Sequence, residues 1–160
     1  MRIFILRHAI AEDTAKGGDA QRALSEEGRK KMRDAAAGFS RLDLKIDAIY
    51  SSPLVRAVQT AEILAKAISF SNKIEMMQEL APGHSPESVG NRLRSLKKSG
   101  SIVLSGHEPN CSELAAYLLG GAQIEFKKGA ICLIETESAA AGSGTLHWHL
   151  PPQVLRLMKS

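Results

Sequence analysis

Residues 2–8 of the chain read Arg-Ile-Phe-Ile-Leu-Arg-His, so that four apolar residues lead directly into two basic side chains. A short continuous apolar run of this kind predicts a strand that is buried on both faces of a sheet. A similar run at 101–105, Ser-Ile-Val-Leu-Ser, is followed by Gly106 and His107. Polar side chains of chemical interest therefore begin where two inner strands are predicted to end.

Helical segments separate the predicted strands along the chain. Ser25 and Ser85 are expected to cap helices, and Ser51-Ser52-Pro53 is expected to begin another with a hydroxyl cap and a proline at the first helical position. The predicted helices cover residues 25 to about 39, 53 to about 65, 86 to about Lys98 and 110 to about 120, and further short strands cover 47–50 and 74–76. This alternation predicts an α/β fold, a three-layer sandwich with a mostly parallel central sheet and helices on both faces. Residues 130–135 and 146–150 are predicted to form a C-terminal hairpin at the sheet edge.

The composition is that of an ordinary globular protein, with 44% hydrophobic and 24% charged residues. The length of 160 residues predicts a single domain, residues 1–160. Because the apolar runs are too short for a transmembrane helix or a signal peptide, we expect a cytoplasmic protein with no membrane partner. The formal charge of +4 suits a phosphorylated or acidic partner. Aromatic residues make up only 4% and the basic residues are scattered, so we expect no nucleic acid partner, and we expect a monomer.

Two histidines and two arginines are predicted to meet at one edge of the sheet. Arg7 and His8 follow the first strand, His107 follows the inner strand, and Arg56 lies one helical turn beyond Ser52. The carboxyl ends of the strands are where ligands collect in open α/β sheets. Because four such basic groups in one place lower stability unless an anion binds, the pattern indicates an anion site.

Phosphoryl transfer accounts for this set of side chains. A neutral imidazole can attack phosphorus and form a covalent intermediate, and guanidinium groups bind phosphate oxygens through paired hydrogen bonds. His8 is therefore the predicted nucleophile, and Arg7, Arg56 and His107 are predicted to complete the phosphate pocket. The scheme needs no metal and no cofactor, and no dense acidic cluster in the sequence suggests a metal site.

The same residues resemble the motifs of the histidine phosphatase superfamily, which includes phosphoglycerate mutases and phosphatases that act through phosphohistidine. Residues 6–8 resemble its Arg-His-Gly signature, with Ala9 in place of the glycine. Residues 51–62 resemble the motif that carries a phosphate-binding arginine, and residues 106–109 resemble the last motif. A closer resemblance, at residues 19–25 and 79–83, is to the SixA-type phosphohistidine phosphatases.

This resemblance implies further site residues. Arg22 would be an additional phosphate ligand, and Glu79 occupies a position that resembles the general acid of mutase-like relatives. Glu108 is a second candidate for the acid, but it is better suited to capping the helix that follows. Lys127 and Lys128 are candidates for contact with an anionic partner at the rim, and a plain surface pair is the alternative.

The resemblance and the short loop between Met77 and Pro86 favour a phosphohistidine protein phosphatase that acts in signal transduction, because an open site admits a protein substrate. Two alternatives stay open. One is a phosphatase of a small phosphorylated metabolite with the same pocket, and the other is a phosphate-binding regulatory module without turnover. A mutase is the least favoured enzyme, since short loops give its intermediate little protection from water.

Overall fold

The computed structural model describes residues 1–96 and 100–160. In chain order the elements are β1 (Arg2–Arg7), α1 (Glu26–Ser40), β2 (Ala48–Ser51), α2 (Val55–Ala67), β3 (Glu75–Met76), α3 (Pro86–Ser95), β4 (Ser101–Gly106), α4 (Asn110–Leu119), β5 (Ile131–Thr136), β6 (Gly144–Leu150) and α5 (Pro152–Leu157). Short 3-10 turns occur at Asp19–Gln21 and Gln78–Leu80. The predicted end of the third helix, near Lys98, lies outside the described residues.

A six-stranded sheet lies at the centre of the molecule, with the strand order β3-β2-β4-β1-β5-β6. The first four strands in this order run parallel, whereas β5 is antiparallel to β1 and β6 is antiparallel to β5. This confirms the prediction of a mostly parallel sheet that a C-terminal hairpin extends at one edge. Residues 3–6 of β1 and 102–104 of β4 are at most 2% exposed, which explains their continuous apolar sequence.

Helices cover both faces of the sheet. Ile3 and Ile5 belong to a core that α3 and α4 cover, whereas Phe4 and Leu6 belong to a second core that α1, α2 and α5 cover. Successive residues of a strand point to opposite faces, so one strand contributes to both cores. The predicted three-layer sandwich is confirmed.

The three serine caps predicted from the sequence have different outcomes. The Ser25 hydroxyl accepts a hydrogen bond from the Gly28 amide at the start of α1, and the Ser85 hydroxyl does the same for Ser88 at the start of α3. The prediction at Ser52 is wrong, because α2 begins at Val55 and its N-cap position has no side-chain cap. Arg56 is therefore the second residue of α2 rather than a residue one turn into it.

A short C-terminal helix, α5, was not apparent in the sequence pattern. It lies against α1, where Leu155 is 2% exposed and belongs to the core of that face. Six residues are too few to show a helical repeat, and the preceding Pro151 is in an extended conformation. Among residues 1–96 and 100–160, no helix is long and apolar enough to cross a membrane.

Candidate active site

The register of three neighbouring strands brings their carboxyl ends together. Arg7 of β1 lies opposite Gly106 of β4, and Ser51 of β2 lies opposite Ser105 of β4. The ladder continues one residue further on both sides, because the His8 amide donates to the Gly106 carbonyl at 2.9 Å and the Ser52 amide donates to the Ser105 carbonyl at 2.9 Å. His8, Ser52 and His107 therefore leave the sheet side by side.

His8 is buried and its tautomer is set by the backbone. Its Nδ1 lies 2.7 Å from the Ala9 carbonyl oxygen. Because a carbonyl oxygen can only accept, Nδ1 carries the hydrogen and Nε2 keeps its lone pair. The pKa of His8 is lowered to about 4, first by burial and then by the positive charges of Arg56, Arg7 and Lys128, against the raising effect of the Ala9 hydrogen bond. His8 is therefore neutral at pH 7, with a free Nε2.

His107 lies beside His8, with 5.1 Å between the ring centroids. Its Nε2 is 2.8 Å from the Ser52 hydroxyl oxygen, and its buried Nδ1 has no hydrogen-bond partner within the described part of the chain. The pKa of His107 is lowered to about 3, first by burial and then by His8 and Arg56. The ring therefore presents one nitrogen to Ser52 and leaves the other available.

The guanidinium groups of Arg7 and Arg56 are also partly committed. Arg7 donates from Nη1 to the Phe126 carbonyl at 2.5 Å, and Arg56 donates from Nη1 and Nη2 to the backbone and carboxylate of Asp19 at 2.8 and 3.0 Å. The Nε atoms of both arginines are buried, and none of the residues that the structure describes accepts from them. Buried Arg56 and half-buried Arg7, each with an unused Nε donor beside two histidines, form a site for an oxyanion.

Asp19 is a site residue that the sequence analysis missed. Its carboxylate pairs with Arg56 and also with Arg22, whose Nε donates to Oδ1 at 2.8 Å. These hydrogen bonds, first that of Arg56, hold the pKa of Asp19 below its usual range. Asp19 and Arg22 are three residues apart in the sequence, and this spacing could have indicated the ion pair that they form. Nothing in the sequence indicated the contact with Arg56.

Two further residues of the predicted motif at 51–62 form hydrogen bonds with the loop that follows β1. Thr60 accepts a hydrogen bond from the Ala9 amide at 3.1 Å and donates to the Arg56 carbonyl at 2.7 Å. Gln59 accepts from the Leu24 amide at 2.8 Å. The His8 loop is therefore tied to the second turn of α2. Ala9 contributes to these hydrogen bonds through its backbone amide, so its methyl group does not interrupt them. The residue as a whole is buried, with 4% of its surface exposed.

The remaining predicted residues lie around this centre. Arg22 is at its edge, with its side chain 26% exposed, and Lys127 and Lys128 are exposed on the turn before β5. Glu79 is half-buried in the second 3-10 turn and lines a small cavity with Gly106.

Glu108 accepts hydrogen bonds from the amide and hydroxyl of Ser112, as the helix-cap interpretation predicted. Its carboxylate is therefore engaged at the start of α4. Within residues 1–96 and 100–160, no group of three or more His, Cys, Asp or Glu side chains is placed to hold a metal ion.

Comparison with known proteins assigns the family. The histidine phosphatase superfamily (branch 1) matches residues 3–99. An uncharacterised protein of Picosynechococcus sp. is 33% identical over 148 residues, 87% of each chain. The phosphohistidine phosphatase SixA of Escherichia coli K12 is 28% identical over 163 residues, 100% of this chain and 99% of that one.

A solved structure shows the same likeness in three dimensions. The protein histidine phosphatase SixA complexed with tungstate superimposes with a TM-score of 0.89 at 28% identity, over 97% of this chain and 99% of that one. The predicted SixA-type resemblance is thereby confirmed. The chain belongs to the histidine phosphatase superfamily, branch 1, and is similar to its SixA-type members.

Proposed function

We propose that the protein hydrolyses phosphohistidine on a partner protein through a covalent intermediate on His8. The observation that carries this proposal is the arrangement of free nitrogens at the site. His8 Nε2 offers a lone pair, while Arg7 Nε, Arg56 Nε and His107 Nδ1 are buried without partners in the described residues. A nucleophile surrounded by unused donors suits a phosphoryl group, whose oxygens would take up those donors.

In the first step, His8 Nε2 attacks phosphorus and a new N–P bond forms. The bond between phosphorus and the substrate nitrogen breaks at the same time, and its electron pair returns to the substrate ring. That ring is protonated at its other nitrogen, so it leaves as neutral imidazole. His8 becomes a phosphorylated imidazolium, and its Nδ1–H bond to the Ala9 carbonyl stabilises the positive charge.

In the second step, water attacks phosphorus and the bond to His8 Nε2 breaks. The electron pair returns to Nε2, both protons of the water remain on the departing dihydrogen phosphate, and His8 is neutral again. Arg7, Arg56 and His107 offset the charge on the phosphoryl oxygens in both steps, with Arg22 as a further ligand. No step requires a metal, so we expect full activity in the presence of a chelator.

Three further facts support the proposal. The SixA relative that matches the whole chain is named as a phosphohistidine phosphatase, and the SixA structure was solved with tungstate, a tetrahedral oxyanion like phosphate. Only residues 77–85 separate β3 from α3 above the site, which leaves it open to a histidine on the surface of a partner. We propose that the protein acts as a monomer in the cytoplasm.

The test is kcat/KM for a phosphorylated histidine-containing protein, a sugar phosphate and an aryl phosphate. The phosphohistidine protein should be preferred, because an alkoxide leaving group needs a proton from the enzyme and an imidazole does not. Glu79 is the candidate donor of that proton, so Glu79→Gln should impair ester hydrolysis more than phosphohistidine hydrolysis. Glu87→Gln, an exposed residue of α3, is the matched control. Higher efficiency on the sugar phosphate would instead make the protein a metabolite phosphatase.

A further inference from the structure

A second concave surface adjoins the candidate active site on the side of α1 and α5. It has a volume of about 390 Å³, a size typical of sites that hold a ligand much larger than one phosphate. Arg7 lines it, so it borders the catalytic centre. We call it the basic groove, because its lining also includes Lys31, Lys127, Lys128 and Arg156.

The charge of the basic groove is largely uncompensated. Glu125 is the acidic residue among those that line it. In the described part of the chain, Lys127, Lys128 and Arg156 have no ion pair, whereas Lys31 pairs with Glu27 one turn earlier on α1. Basic side chains gathered in one concave surface attract an anion of matching extent.

The groove is held in a fixed position relative to His8. The Gly129 amide donates to the carbonyl oxygens of Arg7 and His8 at 3.1 and 3.2 Å, which fixes the turn that carries the two lysines. Lys128 is also one of the positive charges that lower the pKa of His8, after burial and the charges of Arg56 and Arg7.

On the opposite wall, α5 is anchored to α1. Leu155 is buried in the core of that face, and Lys159 pairs with Asp34 at 3.0 Å. Both walls of the basic groove are therefore anchored to the fold, one of them directly to the backbone of His8.

The lining favours an acidic polypeptide over a nucleic acid. No aromatic side chain is among the residues that line the groove, so it has no surface on which bases could stack. We propose that the basic groove binds an acidic segment of the protein substrate, next to the histidine whose phosphate enters the catalytic pocket. This inference rests on the proposed function and adds a determinant of substrate choice outside the pocket.

The first experiment compares two 15-residue peptides that each carry one chemically phosphorylated histidine, with four glutamates beside it in one peptide and four glutamines in the other. For the wild-type protein at low salt, kcat/KM should be at least tenfold higher for the acidic peptide, and the preference should shrink as salt screens the groove. The double variant Lys31→Gln/Arg156→Gln should lose most of the preference. An unchanged preference in this variant, or none in the wild type, would overturn the proposal.

The matched control is Lys30→Gln/Arg33→Gln, which removes two exposed charges from α1 that do not line the groove. It should keep the wild-type preference. Both double variants should hydrolyse an aryl phosphate at the wild-type rate, which shows that they are folded and that the catalytic pocket is intact.

A binding experiment separates this proposal from the proposed function. A fluorescent peptide of ten glutamates should bind the wild-type protein and lose affinity at least tenfold in Lys31→Gln/Arg156→Gln. If the glutamate peptide binds in this way while neither phosphohistidine peptide is hydrolysed, the proposal that the groove binds acidic polypeptides is supported and the proposed function is wrong. Tighter binding of a ten-nucleotide single-stranded DNA through the same residues would overturn the choice of an acidic polypeptide.

Discussion

Two histidine rings meet at the ends of β1 and β4, and a different ring nitrogen is engaged in each. In His8 the engaged atom is Nδ1, which leaves Nε2 as a nucleophile. In His107 it is Nε2, which faces the Ser52 hydroxyl. The Ser52 oxygen also accepts from the Leu54 amide at 3.3 Å, and His107 Nε2 is the one acceptor in the described part of the chain that its hydroxyl hydrogen meets, so we assign that hydrogen to the bond with Nε2. The hydrogen of His107 then lies on Nδ1, as a donor for a phosphoryl oxygen.

Ser52 is therefore expected to act as a positioning residue. In Ser52→Ala the tautomer of His107 is no longer selected, so kcat should fall at least tenfold, about 1.4 kcal/mol, with a smaller change in KM. NMR of the ¹⁵N-labelled ring should show protonation at Nδ1 in the wild-type protein and a mixture of tautomers in the variant. A variant with wild-type kcat and an unchanged ring spectrum would show that Ser52 only fills space.

Arg56 is expected to act through its planar fork as well as its charge. Its two terminal nitrogens are held by Asp19, while Nε remains free for phosphate. Arg56→Lys keeps the charge, but a single ammonium group cannot bind Asp19 through two nitrogens and offer a third to phosphate. The value of kcat/KM should therefore drop tenfold or more. Arg33→Lys, on the exposed face of α1, is the control and should leave the kinetics unchanged. Equal kinetics for both variants would remove Arg56 from the site.

The sequence predicted the basic residues of the site but not the groups that orient them. Arg7, His8 and His107 were found because each directly follows a recognisable strand, and Arg56 because it lies in a motif. The roles of Asp19 and Ser52 depend on contacts with residues 37 and 55 positions away. Short polar side chains of this kind carry no periodic signal, so their partners emerge only once the strands are placed.

Among the elements, helix starts show where local sequence is sufficient. Ser25 and Ser85 cap helices as predicted, since the hydroxyl bonds to an amide three residues later. Ser52 has the same local sequence signal, but its hydroxyl is drawn to His107, and α2 begins three residues beyond it. A tertiary contact at the site therefore overrides the local preference.

The packing of α5 on α1 depends on Gly38. A Cβ at this position would lie 1.8 Å from the Leu155 carbonyl oxygen, so no side chain fits without moving α5. Gly38→Ala should lower the free energy of unfolding by about 1–3 kcal/mol in a urea titration. Helix propensity alone favours alanine by about 1 kcal/mol, so the sign of the change is diagnostic. A stabilised variant would show that α5 does not approach α1 this closely.

For the molecule as a whole, two neutral buried histidines make stability depend on pH. The pKa of His8 is about 4 and that of His107 about 3, against 6.5 for an unperturbed histidine. Between pH 6.5 and pH 4 the unfolded chain binds more protons than the folded protein, so the free energy of unfolding should fall as pH falls through this range. The lowered pKa of His8 corresponds to a loss of unfolding free energy on the order of 3 kcal/mol as the pH falls from 6.5 to about 4.

Urea titrations from pH 7 to pH 4.5 test this dependence. His8→Asn removes one of three histidines whose pKa is lowered in the folded protein, the others being His107 and the half-buried His149, so its free energy of unfolding should decrease less steeply than that of the wild-type protein as the pH is lowered. Equal slopes for the two proteins would mean that His8 titrates alike in the folded and unfolded states. Its ring would then not be the buried neutral nucleophile that the mechanism requires.

The phosphoenzyme is the most direct test of the central claim that His8 carries the phosphoryl group. The protein should be mixed with a phosphohistidine protein labelled in its phosphate, quenched within milliseconds, and the labelled residue located by mass spectrometry. We expect acid-labile, base-stable phosphate on His8, and no label and several orders of magnitude less turnover in His8→Asn. Turnover without a phosphoenzyme, label on another residue, or near-normal kcat in His8→Asn would contradict the mechanism.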